Sequence, residues 1–301
     1  MADETGASEG TRTAVICGNG VLPAEVIAAA HLAGRNPLAV GIKGEASSAI
    51  ETDAPALWFD WGEIGRLVNA LKRNGVHDLV LIGGVTQRPD FRSILGDFGT
   101  MRRLPRILKA LRKGDDGLLK AVIMLFEEEG FRVVGAHEIA PSLLATAGSV
   151  GRHSPGDDTL RDIELARAAA RALGRLDIGQ AAVAVNGRVI ATEAAEGTDG
   201  MLRRCIDLKR ERRVRWKGRA GALVKCVKPT QDLRVDLPSI GPDTVEYATE
   251  LGLAGIAVDA GHVLIASRQE TVTRADAAGL FLFGFDETAQ ESSDSHGAAD
   301  V

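Results

Sequence analysis

The chain has 301 residues, of which 45% are hydrophobic, 26% charged and only 4% aromatic. That length suits one large or two ordinary globular domains. A net charge of −5 argues against a general nucleic-acid binder, because affinity for the phosphate backbone needs clustered positive charge.

Three cysteines, Cys17, Cys205 and Cys226, stand far apart and none lies in a C-x-x-C pair. They read as reduced, buried small hydrophobes of a reducing compartment. The first ten residues are acidic and polar, unlike a signal peptide, and no run of 18 apolar residues exists. The expectation is a cytoplasmic protein without a membrane span.

Taken in order, residues 1–10 lack apolar content and are expected to be a disordered tail, as are residues 288–301. Residues 13–17 form an apolar strand ending in Gly18-Asn19-Gly20, and Pro23 opens a helix. Strand 37–42, helix 63–74 and strand 76–82 follow, the last stopping at Gly83-Gly84. Helices are expected at 101–112 and 117–129, then a strand at 131–135. Short apolar strands alternating with helices predict a Rossmann-like α/β domain over 11–143, built on a parallel sheet. Pro23 takes the place of the third glycine of G-x-G-x-x-G, which argues against NAD. Gly18, Asn19, Gly20 and Leu22, with Gly83, Gly84 and Arg88, are expected at the carboxyl ends of adjacent strands, where open α/β sheets bind ligands. Their amides suit a uracil, ribose or phosphate, although glycines at such places also simply make tight turns.

Residues 144–158 are rich in Gly, Ser and Pro and read as a linker to a second, mixed α/β domain over 159–287. That domain opens with a helix at 159–173 and a hairpin at 180–192 turning on Asn186-Gly187. A helix to about residue 210 and a strand at 223–227 come next. Beyond the loop described below lie a helix at 242–251 and strands at 255–258, 262–265 and 280–285.

The loop over 225–242, K-C-V-K-P-T-Q-D-L-R-V-D-L-P-S-I-G-P, sits between a strand and a helix and carries two lysines, two aspartates, an arginine and three prolines. Proline stiffens it, so Lys228, Asp232, Arg234 and Asp236 have little freedom to lose. The mixture suits an anionic phosphate ligand with a divalent cation. By spacing alone it serves equally well as an ion-paired surface loop. A second acidic stretch, T-E-A-A-E-G-T-D-G at 192–200, offers Glu193, Glu196, Thr198 and Asp199 for a cation, with Gly197 letting a phosphate approach the backbone, or else a helix N-cap. Residues 203–219 hold nine Lys/Arg and residues 102–113 six, which reads either as solvated helix faces or as an attraction to anionic lipid head groups. The six histidines show no metal-ligand spacing, and no G-x-S-x-G elbow or P-loop is present.

K-P-x-Q-D-x-R-x-D-L-P-[ST]-I-G-P at 228–242 and E-G-T-D-G-M at 196–201 resemble the signature of the LpxI family, the UDP-2,3-diacylglucosamine pyrophosphatases of lipid A biosynthesis. The likeness extends to I-C-G-N-G-V-L-P at 16–23, G-G-V-T-Q-R-P at 83–89, G-L-A-G-I-A-V-D-A-G at 252–261 and G-L-F-L-F-G at 279–284. One departure is Ser267, where the family usually carries an acid. The resemblance implies hydrolysis of UDP-2,3-diacylglucosamine to UMP and 2,3-diacylglucosamine 1-phosphate, with water attacking the α-phosphorus and Mg²⁺ assisting. It implies catalytic roles for Asp232, Asp236, Lys228 and Lys225, and metal binding by Asp232, Glu196 and Asp199. Gly197, Thr198, Asp199, Gln231 and Arg234 would join the glycine turns in holding substrate, at a site expected between the domains. The lipid-linked substrate predicts peripheral contact with the inner membrane, while the oligomeric state is left open. The alternative is a protein that binds a nucleotide sugar or lipid phosphate without cleaving it.

Overall fold

A computed structural model describes residues 12–85, 115–229 and 231–286. Arg88, the expected helix and basic cluster at 101–113 and both tails lie outside these residues. The chain divides into two units, one taking Met1–Ser142 with Asp232–Asp236, the other Leu143–Gln231 with Leu237–Val301.

The N-terminal unit contains strands β1 (Arg12–Cys17), β2 (Leu38–Ile42), β3 (Ala56–Phe59), β4 (Val76–Ile82) and β5 (Arg132–Val133). They form a fully parallel sheet in the order β3-β2-β1-β4-β5. β1 and its neighbours read as continuous apolar runs because both faces of a parallel sheet are covered. Val15, Ala39, Leu79 and Val80 are fully buried there. Helices α1 (Leu22–Leu32) and α2 (Ile64–Arg73) connect successive strands, and α3 (Asp115–Glu128) precedes β5. α1 begins with a proline in its first turn, where the missing N–H would have had no partner. β3 is absent from the sequence reading because its apolar run is only four residues long and follows Asp53-Ala54-Pro55. The buried Asp78 is held by Arg132 through a two-point contact of 2.9 and 2.7 Å and by His77 Nδ1 at 2.8 Å. Burial opposes its charge, but those partners prevail and keep its pKa below the ordinary value.

The C-terminal unit has a mixed six-stranded sheet in the order β6-β13-β11-β9-β7-β8. Its parallel centre is β9 (Ala222–Lys225), β11 (Gly255–Asp259) and β13 (Phe281–Phe285). Antiparallel β7 (Ala181–Val185) and β8 (Arg188–Thr192) form one edge and β6 (Gly148–Ser149) the other. The hairpin turns on Asn186 (φ 52°) and Gly187 (φ 74°), both left-handed, as a two-residue primed turn requires. After a short helix α4 (Ala136–Ile139) comes the 19-residue α5 (Asp157–Arg175), whose buried Asp162 accepts both turn amides at 2.9 and 2.6 Å. Helices α6 (Gly197–Arg210), α7 (Pro242–Leu251) and α8 (Arg268–Ala278) complete the unit, with a two-stranded pair of β10 (Ser239–Ile240) and β12 (Leu264–Ile265).

Two features depart from the sequence reading. Residues 144–158 do not stand apart as a linker: Gly148 and Ser149 pair with β13, and Ala145 and Val150 donate to Val263 and Leu282. Within the proline-rich loop, Asp232–Asp236 group with the N-terminal unit rather than with the second domain expected to contain them. Among the described residues no helix is long and apolar enough to cross a membrane.

Candidate active site

The glycine turns of the N-terminal unit lie where expected. β1 and β4 are neighbours, and the chain leaves them in opposite directions across the sheet, so their carboxyl ends meet at the point where strand order reverses. Gly18 donates to Ile82, while Asn19 and Gly84 exchange two backbone bonds of 2.7 and 2.9 Å. A Cβ on Gly18 would stand 2.4 Å from the Gly84 oxygen. Gly83 has φ +103°, and a Cβ there would meet the Gly18 and Asn19 backbone at 2.8 Å. Only glycine permits this closure. Gly20 is left-handed and exposed, its N–H taken by the Asn19 side chain, and Leu22 is turned into the core.

Around the loop, the lysines behave differently from one another. Lys225 ends β9, is nearly buried, and donates Nζ to the Ser239 carbonyl at 2.8 Å, tying one end of the loop to the other. Its position is that of a brace more than of an exposed phosphate clamp. Lys228 Nζ pairs with Asp177 at 2.7 Å, with 14% of the lysine side chain exposed. Its backbone N–H donates to Gln231 Oε1 at 2.9 Å. The start of the loop is fixed by Asp259, a buried residue at the carboxyl end of β11, which accepts the Val227 N–H at 2.8 Å. Arg171 approaches the other oxygen of Asp259 at 3.5 Å. Asp177, Asp259 and Arg171 are absent from the sequence reading. Asp259 carried a signal, an acid ending an apolar strand in V-D-A-G, whereas Arg171 looks like any other arginine of an Ala/Arg-rich helix.

Asp232 and Arg234 form a tight unit of their own. Arg234 donates Nε–H to Oδ1 at 3.0 Å, Nη2–H to Oδ2 at 2.8 Å and its backbone N–H to Oδ1 at 3.1 Å. Its remaining Nη1 reaches Glu127 at 2.8 Å. The Arg234 hydrogen bonds outweigh desolvation and hold the Asp232 carboxyl below the usual range, so it is ionised at neutral pH. Asp236 closes the same turn, its N–H donating to the Asp232 carbonyl.

The acidic stretch splits between two tasks. Thr198 Oγ1 donates to Glu193 at 3.1 Å, both residues being buried. Glu196 is exposed and held by Arg204 at 2.7 Å, whose hydrogen bond lowers its pKa. Gly197 (φ +73°) turns the chain into α6, which places Asp199 in the first helical turn. A cavity of about 370 Å³ beside β3 and α2, lined by Trp58, Phe59, Arg66 and Arg73 among others, contains none of these residues. Chemistry, not volume, selects the candidate site.

Among the described residues no group of three or more His, Cys, Asp or Glu is placed to hold a metal ion. Magnesium characteristically takes only one or two carboxylates and completes its shell with water and substrate phosphates. Asp232, Glu196 and Asp199 fit that use in type. Arg234 places two donors on Asp232 Oδ1 and one on Oδ2, and since each carboxylate oxygen accepts at two positions, Oδ2 can serve a cation without losing Arg234.

These features define an α/β protein with a Rossmann-like sheet, glycine turns at its reversal point, and a charged, proline-braced loop in the second half. The family models of the LpxI N-terminal domain and the LpxI C-terminal domain match residues 12–143 and 146–283. The UDP-2,3-diacylglucosamine pyrophosphatase LpxI of Caulobacter vibrioides is 41% identical over 272 residues, covering 90% of this chain and 96% of that protein. The chain belongs to the LpxI family. A solved isoflavone reductase matches with a TM-score of 0.27 and 11% identity, covering 96% of this chain and 83% of its own, a likeness too slight to support an argument.

Proposed function

We propose that this protein hydrolyses the pyrophosphate of UDP-2,3-diacylglucosamine, giving UMP and 2,3-diacylglucosamine 1-phosphate for lipid A synthesis. The reading is supported by the 41% identity to a pyrophosphatase of that name along nearly its whole length. The observation that carries it into this chain is Asp232, a carboxylate held in place by three hydrogen bonds from Arg234 in a stiffened loop. Asp232 orients the attacking water or binds the divalent cation, and Lys228 offsets charge developing on the phosphates. Glu196 and Asp199 are the other carboxylates this reading offers to a cation. When bound, Mg²⁺ or another divalent cation would neutralise the pyrophosphate oxygens. The glycine turns at Gly18–Gly20 and Gly83-Gly84, lacking side chains at the reversal point of the sheet, leave room for the nucleotide to approach the backbone. Work in the cytoplasm, with peripheral attraction of the exposed basic residues around Arg212–Arg219 to the inner membrane, suits an acylated substrate.

A binding protein that does not cleave its ligand is the second reading, in which the Asp232–Arg234 pair only shapes the loop. Release of UMP by the wild type separates the two, and Asp232→Ala tests the residue. Hydrolysis requires turnover to fall by about 100-fold or more, with substrate binding retained; unchanged UMP release would remove Asp232 from the mechanism. Turnover in ¹⁸O-labelled water reads the atom attacked: label in UMP marks the α-phosphorus, and label in the sugar phosphate corrects the expectation.

A further inference from the structure

The carboxyl end of α5 goes against two local preferences at one residue. The helix closes in a Schellman arrangement, in which Asp177 N–H donates to the Gly174 carbonyl and Ile178 N–H to that of Leu173, both at 3.1 Å. Asp177 takes the left-handed position of that arrangement, with φ 54°. Glycine ordinarily stands there, and asparagine less often. A carboxylate is also the wrong charge for a helix carboxyl end, where the unpaired carbonyls favour cations. A neutral asparagine would meet both demands better. Chains depart from their local preferences chiefly at functional or strained sites.

What Asp177 touches is Lys228, whose Nζ donates to its Oδ1 at 2.7 Å. With 44% of the aspartate side chain exposed, such a pair adds little to stability, so stability does not account for it. The rest of the lysine is fixed as well. A Cβ on Gly174 would stand 3.5 Å from Lys228 Cγ, so the stem of the lysine lies against the end of α5. Its backbone N–H is held by Gln231, and that of Val227 by Asp259, which Arg171 of α5 approaches. Positions 171, 174 and 177 thus seat the start of the loop at three-residue intervals. We propose that Asp177 is a positioning residue, which holds the Lys228 ammonium in the orientation in which it meets the substrate's phosphates. The assignment rests on the proposed pyrophosphatase reading and adds to it the residue that orients the lysine. A carboxylate there repels the same phosphates, so removing its charge should not weaken substrate binding.

The test compares the full wild-type chain with Asp177→Asn, Lys228→Met and the double variant. UMP release from UDP-2,3-diacylglucosamine is followed at steady state, and in single turnovers with enzyme in excess so that slow variants are still read. Asparagine keeps the size of the side chain and suits the left-handed turn, and only the charge is lost. The positioning role predicts a kcat about 10-fold lower in Asp177→Asn, a KM unchanged or lower, and a thermal midpoint within about 2 °C of wild type. In the Lys228→Met background the same change should alter the rate by less than about twofold, because the lysine it orients is gone. A merely structural pair would instead lower the midpoint and leave kcat as in wild type. Wild-type kcat in Asp177→Asn, a raised KM alone, or a further loss of about 10-fold on top of Lys228→Met would each overturn the assignment and leave the pyrophosphatase reading intact. Lys228→Met with wild-type kcat would do the same. No UMP from the wild type would sink the pyrophosphatase reading itself, and this role with it.

Discussion

Replacing Arg234 by methionine strips Asp232 of the guanidinium that outweighs its burial. If Asp232 serves the reaction as proposed, the acid limb of turnover should move to higher pH in Arg234→Met; a limb that stays put would show that another group controls it. Because the folded pKa of Asp232 is depressed, its contribution to stability is present above the unfolded carboxyl value and lost as pH falls through the folded one. The charged character of residues 225–242 was legible in the sequence, since lysines, aspartates and prolines crowd there and nowhere else. Their division of labour was not. Lys225 is buried as a brace and Arg234 is committed to Asp232 and Glu127, outcomes set by partners 14 and 107 positions away that no local pattern reveals.

Elements were read best where turn chemistry announces them. Asn186-Gly187 and Pro23 placed a hairpin and a helix start, while β3, β6 and α8 were missed. β6 has two residues, β3 four, and α8, R-Q-E-T-V-T-R-A-D-A-A, has no clear apolar stripe. The turns at the carboxyl ends of β1 and β4 permit a direct test of closure. Gly18→Ala should cost roughly 1–3 kcal/mol in chemical denaturation, as overpacking against backbone does, and Gly83→Ala at least as much because φ +103° adds strain. Stability within a few tenths of wild type would mean that the strand ends part easily. On the same sheet, Arg132→Met removes the two-point partner of buried Asp78 and should destabilise by about 2 kcal/mol at neutral pH. Asp78 has a depressed pKa, so the gap between variant and wild type should narrow as pH falls below the ordinary carboxylate range.

For the whole molecule, the α/β class could be read from alternating strands and helices, and the family from the motif at 228–242. The return of Asp232–Asp236 to the N-terminal unit could not, because five residues carry no periodicity of their own. If a divalent cation serves the reaction, chelation should abolish turnover and readdition of Mg²⁺ restore it, whereas chelator-resistant activity would remove the cation from the account. The most direct measurement is the fate of UDP-2,3-diacylglucosamine with purified protein, Mg²⁺ and no acceptor. Hydrolysis with Asp232 in the mechanism gives stoichiometric UMP and 2,3-diacylglucosamine 1-phosphate from the wild type and neither from Asp232→Ala. Substrate bound but recovered intact from the wild type would contradict it.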